Sequence, residues 1–592
     1  MNLQNYLRLW SFFAGHKKWI VLSILLSLVL TIMTLVIPTL SANLINEGIN
    51  KGDTSAIFHY GEQMLIAAII GCLAFVANTA IAVWAGEYAA HHLRVAEYAK
   101  IQTLSHGNID RFRSSDLLIR LTTDVLTVKN ATIQLVLTFP IVPFFLLGTI
   151  VLISINMPSI LPITFGVLVA LALLLLAYLV IVQPKYITKD KRIDEVNHTL
   201  REALAGIRVV KAFVRQAHEK EKFGSVAENL RTAATVPQYM LAYITPANTL
   251  ILYLGITAIY FIGGSQAIAG SGMNIGDVTA AAQYLIFILV PVYLLSIILP
   301  LASSADASLV RIFEVLDAVP EIRPPEKPVA VDVGKAQGRV VFDHVSFGYR
   351  TADGTAAKPV LSDISFIAEP GQTVGILGAT GSGKSTLVSL IPRFYDVTQG
   401  RVTIDGVDVR QISLTDLRSI VSICQQEPVL FSGTLRDTVT YGMPGMTDDR
   451  MHVIARAADA DSFVMNIPDQ YDSYVARRGE NFSGGQRQRL AIARALARNP
   501  KVLILDDSTS ACDVVTEAAI QDAIGGLMEK TTRIIIAQRI SSVITADRIL
   551  IMEKGRIIAS GNHAELLKTC PEYQEIYSSQ LGSVPAAGGA AA

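Results

Sequence analysis

Six predominantly apolar runs, 19–41, 63–85, 131–156, 159–182, 241–262 and 279–302, crowd the first half of the chain. Each reaches the roughly 20 residues that an α-helix needs to cross a bilayer. In hydrocarbon every backbone N–H and C=O must be satisfied within the segment, so the runs predict six transmembrane helices. Whole-chain figures agree. Mean hydropathy is +0.42 and only 17% of the 592 residues are charged, too apolar for an ordinary soluble protein.

Polar segments between the runs predict topology. About 45 residues separate the second and third runs and about 58 the fourth and fifth. Both segments are rich in Lys and Arg, such as Arg94, Lys100, Arg111, Arg113 and Arg120 in the first and Lys185, Lys189, Lys191, Arg192, Arg208, Lys211 and Arg215 in the second. Other connections carry almost no basic residue. The positive-inside bias therefore predicts a multi-pass protein with the long loops, both termini and the second half of the chain cytoplasmic; the expected location is the cell's inner (plasma) membrane. Three-to-four spacing of apolar residues in "HHLRVAEYAKIQTLSHGNIDRF" and "DEVNHTLREALAGIRVVKAFVRQAHEKEKF" predicts that the membrane helices continue into these loops. The first run follows "HKKW" without a small-residue cleavage site and reads as a retained span.

Fifty basic residues balance fifty acidic ones. No global field then points to nucleic acid as a partner. Cys72, Cys424, Cys512 and Cys570 lie far apart, so neither a disulfide framework nor a zinc site is expected. The neighbours His91 and His92 face different directions on a helix and read as a solvated pair.

After the sixth run a proline-punctuated stretch near 320–330 ends the helical pattern. Short β-branched runs such as "QTVGILG", "VLILDD" and "RIIIAQ" then alternate with helical segments, an α/β pattern. The expected fold class is an α-helical membrane domain with long extensions fused to an α/β P-loop nucleotide-binding domain. Its expected boundaries are 1–320 for the membrane domain, 321–335 for a linker, 336–580 for the nucleotide-binding domain and 581–592 for a linker-like tail.

Phosphate chemistry is written in "GATGSGKS", Gly378 to Ser385, which fits GxxxxGK[ST] directly after an apolar strand. Backbone N–H groups along Gly378, Thr380, Gly381, Ser382 and Gly383 can wrap phosphates, Lys384 reaches the terminal ones, Ser385 can ligate Mg²⁺, and Thr386 follows in the helix. The strand Val502–Leu505 leads to Asp506, a hard oxygen ligand placed to hold Mg²⁺ beside Ser385. Between the two, "NFSGGQRQRLAIARALARNP" opens an arginine-rich helix at Ser483, Gly484, Gly485 and Gln486, a second candidate anion site. One domain has no evident use for both. The economical reading is that the second caps nucleotide bound by another domain.

On these residues the chain, over roughly 5–580, resembles a half-transporter of the ATP-binding cassette superfamily, of the exporter type with the membrane domain ahead of the nucleotide-binding domain. The resemblance implies ATP and Mg²⁺ as ligands, Tyr349 in "FDHVSFGY" stacking on adenine, and Gln426 in "CQQEPVLFSGT" sensing Mg²⁺ and the attacking water. It implies a D-loop at Ser510–Asp513, with Asp513 near nucleotide, and two such domains meeting head to tail. Each ATP would lie between the Walker motifs of one and the signature Phe482–Gln486 of the other. Coupling helices are expected near Arg113–Leu117 and Phe213–Glu219, the second docked on the partner chain.

Two residues depart from the family pattern. Asp507 stands where the family has a glutamate that polarises the attacking water, and Gln538 stands where it has a switch histidine. Losing one methylene draws the carboxylate back by about 1.5 Å. The signature stays intact apart from Phe482 for the usual Leu. A chain altered at its own hydrolytic positions yet complete where it serves a neighbour resembles the degenerate-site subunit of a heterodimeric multidrug exporter. The expected partners are a sister half-transporter, membrane lipid and a hydrophobic or amphipathic small-molecule cargo.

Two other readings stand beside this one: a homodimeric lipid or peptide exporter with Asp507 as base, and a regulatory ATP-binding membrane subunit that transports nothing. Glu87, Asn78, Gln134, Asn248, Tyr253, Gln283, Tyr284, Phe287 and Tyr293 are the polar or aromatic candidates for a cargo cavity, and Pro140, Pro143, Pro246 and Pro291 the candidate kinks.

Overall fold

The structure, a computed structural model, describes residues 3–13, 15–270, 273–349, 359–443 and 445–581. Leu581 apart, the tail assigned to 581–592 lies outside the described residues. Two compact units emerge. One is Met1–Gln102 with Ser115–Asp317, and the other is Thr103–Ser114 with Ala318–Ala592.

The first unit is helical. Its six span-length helices are Lys17–Ile49, Thr54–Thr103, Ser114–Asn156, Pro158–Ala205, Gln216–Ile268 and Ile275–Asp317, and each contains one of the apolar runs. Between 17% and 33% of each span's most apolar window is buried within the protein. That ratio suits lipid as the solvent for the rest, since hydrocarbon tolerates exposed Leu, Ile and Phe but no open backbone. Most helices run turns beyond their apolar cores, as the three-to-four spacing predicts. The third span divides into helices Val125–Thr138 and Ile141–Asn156 across a turn at Phe139–Pro140, whereas the chain stays helical through Pro143, Pro246 and Pro291.

Several cavity candidates turn out to be packing residues. Asn78 is fully buried. Its Oδ1 accepts from the Ser23 hydroxyl at 2.5 Å and its Nδ2 donates to Ser27 Oγ at 3.0 Å, which clasps the first two spans. Burying these groups is tolerated because each finds a partner. Tyr284 is likewise buried and shares its hydroxyl with Thr39 and the Leu35 carbonyl. Glu87 pairs with Lys129 at 2.7 Å, Gln134 accepts from the Thr138 hydroxyl, and Phe287 packs edge-on against Phe145. Gln283 is partly buried and Tyr253 exposed. Asn248 and Tyr293 do line a cavity of about 490 Å³ between the fourth, fifth and sixth spans, together with Tyr178, Leu241 and Leu289.

The expected coupling helices shift. In the first loop the short helix is His106–Phe112, with Ser105 and Asn108 forming a capping box, and Ser114 already begins the next long helix. Arg113, at φ 56, is the hinge between them. In the second loop the short helix is Ile207–Ala212, while Phe213–Arg215 is a turn, Val214 lying at φ 53. Both expectations fell a turn or more too late, because the charge pattern runs on while the backbone breaks at Ser105 and Gly206.

The second unit is built on a six-stranded sheet. In order across it stand Arg556–Gly561, Arg548–Glu553, Thr373–Gly378, Thr532–Ala537, Val502–Asp506 and Val421–Cys424. All neighbours are parallel except the first pair. Every residue of Val502–Asp506, and Thr373–Leu377, is buried, which is why these strands read as unbroken apolar runs instead of alternating ones. A four-stranded antiparallel sheet, Leu361–Ala368, Val340–Phe347, Gln399–Ile404 and Val407–Asp408, shares a core with the larger sheet through Phe342, Phe366, Val374 and Ile504. A second core joins the other face to the helix Gly484–Ala497 through Leu490, Leu503 and Leu505. Helical membrane domain and α/β domain are thus present as the sequence predicts.

Candidate nucleotide site

Register brings the predicted residues together. Ile536 pairs with Asp506, Cys424 with Leu505 and Ala537 with Leu377, so four parallel strands end level with one another. Each delivers its motif to the same edge: Gly378–Ser385, Gln426, Asp506–Asp507 and Gln538. The carboxyl ends of parallel strands are where open α/β sheets place ligands.

The loop after Thr373–Gly378 closes tightly. Gly383 lies at φ +100, and a Cβ there would meet the Leu361 side chain at 2.8 Å. A side chain is thus strained there as well as crowded. Ser382 is buried with no hydrogen-bond partner for its hydroxyl among the described residues, an unsatisfied group that an anion in this loop would engage. Lys384 folds over the loop, its Nζ donating to the Gly378 and Ala379 carbonyls at 2.7 and 3.0 Å. Burial lowers its pKa from the usual lysine value, with Asp507 and Asp506 opposing. Thr380, Gly381 and Ser385 are exposed on the loop. Thr386 is buried and meets the Tyr349 hydroxyl at 3.0 Å.

Ser385 Oγ donates to Asp506 Oδ1 at 3.0 Å. Burial pushes the Asp506 carboxyl up, and the Ser385 bond holds it back. A hydroxyl and a carboxylate so close are the hard oxygens that Mg²⁺ prefers, so the donor set fits that ion.

Asp507 is half-buried, at φ 47, a left-handed conformation that Asp tolerates better than most residues. Its Oδ2 accepts two amides, Gln538 Nε2 at 2.9 Å and Gln426 Nε2 at 3.3 Å. Burial raises the Asp507 pKa, while Lys384 and the Gln538 bond pull it down. Gln426, donating through nitrogen, keeps its carbonyl oxygen as an acceptor.

The signature is a separate surface of this unit. Ser483 caps the helix Gly484–Ala497: its hydroxyl accepts from Gln486 N, and its own N–H donates to Gln486 Oε1 at 2.9 Å. Ser483 and Gly484 are exposed, and Gly485 partly so. Phe482 is buried and packs with Phe463, so the Phe-for-Leu change is a core substitution. Asp513 caps the helix Val514–Leu527, accepting from Thr516 N at 2.9 Å. The structure thus gives it a helix-capping task.

Three connecting residues were missed from the sequence. Gln488 bonds Ser510 and Ala511, Arg539 donates to the Cys512 and Ser510 carbonyls, and Glu517, nearly fully buried, accepts from the Thr509 hydroxyl at 2.5 Å. Their position beside motif residues is the one signal that could have marked them.

Comparisons with known proteins bear on the same elements. Residues 361–510 match the ABC transporter family and residues 20–292 the ABC transporter transmembrane region. The chain is 35% identical over 582 residues, covering 97% of itself and 98% of the relative, to an uncharacterized ABC transporter ATP-binding protein of Mycobacterium tuberculosis (strain CDC 1551 / Oshkosh). It is 31% identical over 589 residues to a multidrug efflux ATP-binding/permease protein of Mycobacterium tuberculosis (strain ATCC 25618 / H37Rv), covering 98% of itself and 48% of that longer protein. Its fold is similar to that of a bacterial Atm1-family ABC exporter with ATP bound, with a TM-score of 0.80 and 25% identity over 95% of this chain and 99% of that one.

Proposed function

The chain belongs to the ABC transporter family, as an exporter half-transporter, and from that membership we propose that it is the ATP-retaining half of a heterodimer. The amide clamp on Asp507 carries this reading. Both amides donate to the same Asp507 oxygen, so its lone pairs are engaged by protein donors instead of an attacking water, and the Gln538 bond opposes the rise in pKa that burial causes. The side chain is also one methylene shorter than the glutamate the family uses at this position. A misplacement of about 1 Å costs on the order of a hundredfold in rate. The geometry therefore favours binding over hydrolysis.

Tyr349, Lys384 and the loop Gly378–Ser385 hold ATP in this reading. Ser385 Oγ, Asp506 through water and the Gln426 carbonyl oxygen would hold Mg²⁺, which when bound supplies charge neutralisation at the phosphates. The exposed Ser483–Gly485 turn serves the ATP of the sister chain, and Asp513 sits at that junction. Support for a partner in the second loop comes from Ile207 and Val209 in the short helix and Phe213 and Val214 just after it, all exposed apolar residues. ATP kept at this site biases the inward–outward equilibrium while the sister site turns over.

Cargo in this reading is hydrophobic or amphipathic, in keeping with the mostly apolar cavity that Asn248 and Tyr293 line. The protein lies in the inner (plasma) membrane with its termini and nucleotide-binding unit in the cytoplasm. The test is ATPase activity of the purified chain alone, with ATP binding measured in parallel. Binding without turnover, restored by adding a sister half-transporter, is expected. Turnover by the chain alone at the rate of the assembled complex refutes the reading and leaves a homodimer with a competent Asp507.

A further inference from the structure

Thr103–Ser114 groups with the nucleotide-binding unit although its chain neighbours on both sides are long membrane helices. Within that unit its helix, His106–Phe112, is held at several points. The Asn108 side chain donates to the Val319 carbonyl and accepts from Glu321 N. His106 stacks on Phe394 with centroids 4.2 Å apart and planes at 23°. Next to Phe394, the Tyr395 hydroxyl donates to Asp110 Oδ2 at 2.6 Å. Burial and the Asp110 carboxylate push the Tyr395 phenol well above its usual range, so it remains protonated and a donor.

Tyr395 also faces the nucleotide site. Its ring meets that of Tyr349 at 5.2 Å and 89°, and both rings pack on Phe347. Tyr349 in turn touches Thr386, in the helix behind the phosphate loop. One side chain therefore bonds the short helix through its hydroxyl and packs on the candidate adenine platform through its ring. Close-packed aromatic contacts pass on small displacements instead of absorbing them. A charge-assisted hydrogen bond ties the far end of the path to one atom of the helix. The receiving element is discrete, bounded by the Ser105 cap and by Arg113 at φ 56.

We propose that Tyr395 is a positioning residue that reports the presence of an adenine base on Tyr349 to the helix His106–Phe112, so that this helix distinguishes a nucleoside triphosphate from bare triphosphate. The proposal rests on Tyr349 being the adenine platform. Phosphate contacts through Lys384 and the glycine loop reach Tyr395 only indirectly, by way of the Thr386–Tyr349 hydrogen bond, whereas a base on Tyr349 bears on the Tyr395 ring directly.

Hydrogen–deuterium exchange of the full-length chain in lipid nanodiscs tests it, with Mg-ATP and Mg-tripolyphosphate each at saturation. Mg-ATP is expected to slow amide exchange across residues 104–114 more than Mg-tripolyphosphate does. In Tyr395→Phe, which keeps the ring and removes the hydroxyl, the two ligands should slow exchange equally. Asp110→Ala should behave the same way, and it keeps the test open if Tyr395→Phe fails to fold. Asp110→Asn, which keeps an acceptor, should restore the difference. Equal slowing by both ligands in the unaltered chain, or an ATP-specific effect that survives both Tyr395→Phe and Asp110→Ala, overturns the proposal. Tyr349→Ala separates the two readings. If it leaves ATP affinity unchanged, the platform reading fails. If it weakens ATP but not tripolyphosphate while the ATP-specific effect survives in Tyr395→Phe, the relay alone fails.

Discussion

The nucleotide-binding unit presents two candidate ATP surfaces, and they differ in what has been kept. Around Gly378–Ser385 the expected binding residues converge, and Asp507 and Gln538, at the positions where the proposed reading places the hydrolytic residues, are bonded to each other. At Ser483–Gln486 the reciprocal cap is formed and the turn is exposed. Because the two surfaces sit on different elements of one fold, chemistry at one can change without disturbing the geometry of the other. The strands that end at Asp506 and Ala537 are buried, so the scaffold is set by packing while the edge residues are free to vary.

Substitutions can break this contrast from either side. The largest effect is expected for Ser483→Arg, which blocks the exposed turn. In the proposed complex with a sister half-transporter, ATP turnover should fall by about 10²–10³, the cost of removing a preorganised donor from a transition state, while labelled ATP remains bound to this chain. Lys384→Ala should do the reverse. Nucleotide affinity at this chain's own site, read by equilibrium binding, should weaken by about 10–100-fold, as expected for loss of a charged hydrogen bond worth roughly 1.5–3 kcal/mol.

Restoring the altered positions sharpens the contrast. Asp507→Glu with Gln538→His should raise single-site hydrolysis by roughly a hundredfold at most, measured with the sister site disabled. Asp507→Glu alone should gain less, because the Gln538 amide that now donates to the carboxylate at position 507 is retained. The smallest effect is reserved for Asp513→Ala. Loss of its cap on Val514–Leu527 should destabilise the unit by about 1 kcal/mol, seen as a small drop in the denaturant midpoint with ATP binding retained.

Legibility followed length scale. Membrane spans and the glycine loop are local patterns, decided by run length and by residue types within eight positions, and both were readable. Asn78 and Tyr284 were read as cavity candidates, because polarity in a span marks either a ligand site or a buried clasp, and only the partners Ser23, Ser27 and Thr39 decide which. The short helices were misplaced for a related reason. Amphipathic periodicity continues across His106–Phe112, and the break is carried by backbone angles at Arg113 and by the Ser105–Asn108 cap, a short signal inside a long pattern.

Local patterns were therefore available in the chain itself: six apolar runs, a glycine-rich phosphate-loop motif, a candidate metal-binding acid, a signature turn, and Asp507 and Gln538 where the family pattern differs. Convergence was not. That Gln426, Asp507 and Gln538 share one oxygen, and that Tyr395 touches both Tyr349 and Asp110, depends on the register of parallel strands and on the return of residues 103–114 to the second unit. Such contacts join residues tens to hundreds of positions apart, and sequence periodicity gives the faces of an element without naming the distant segment that covers them.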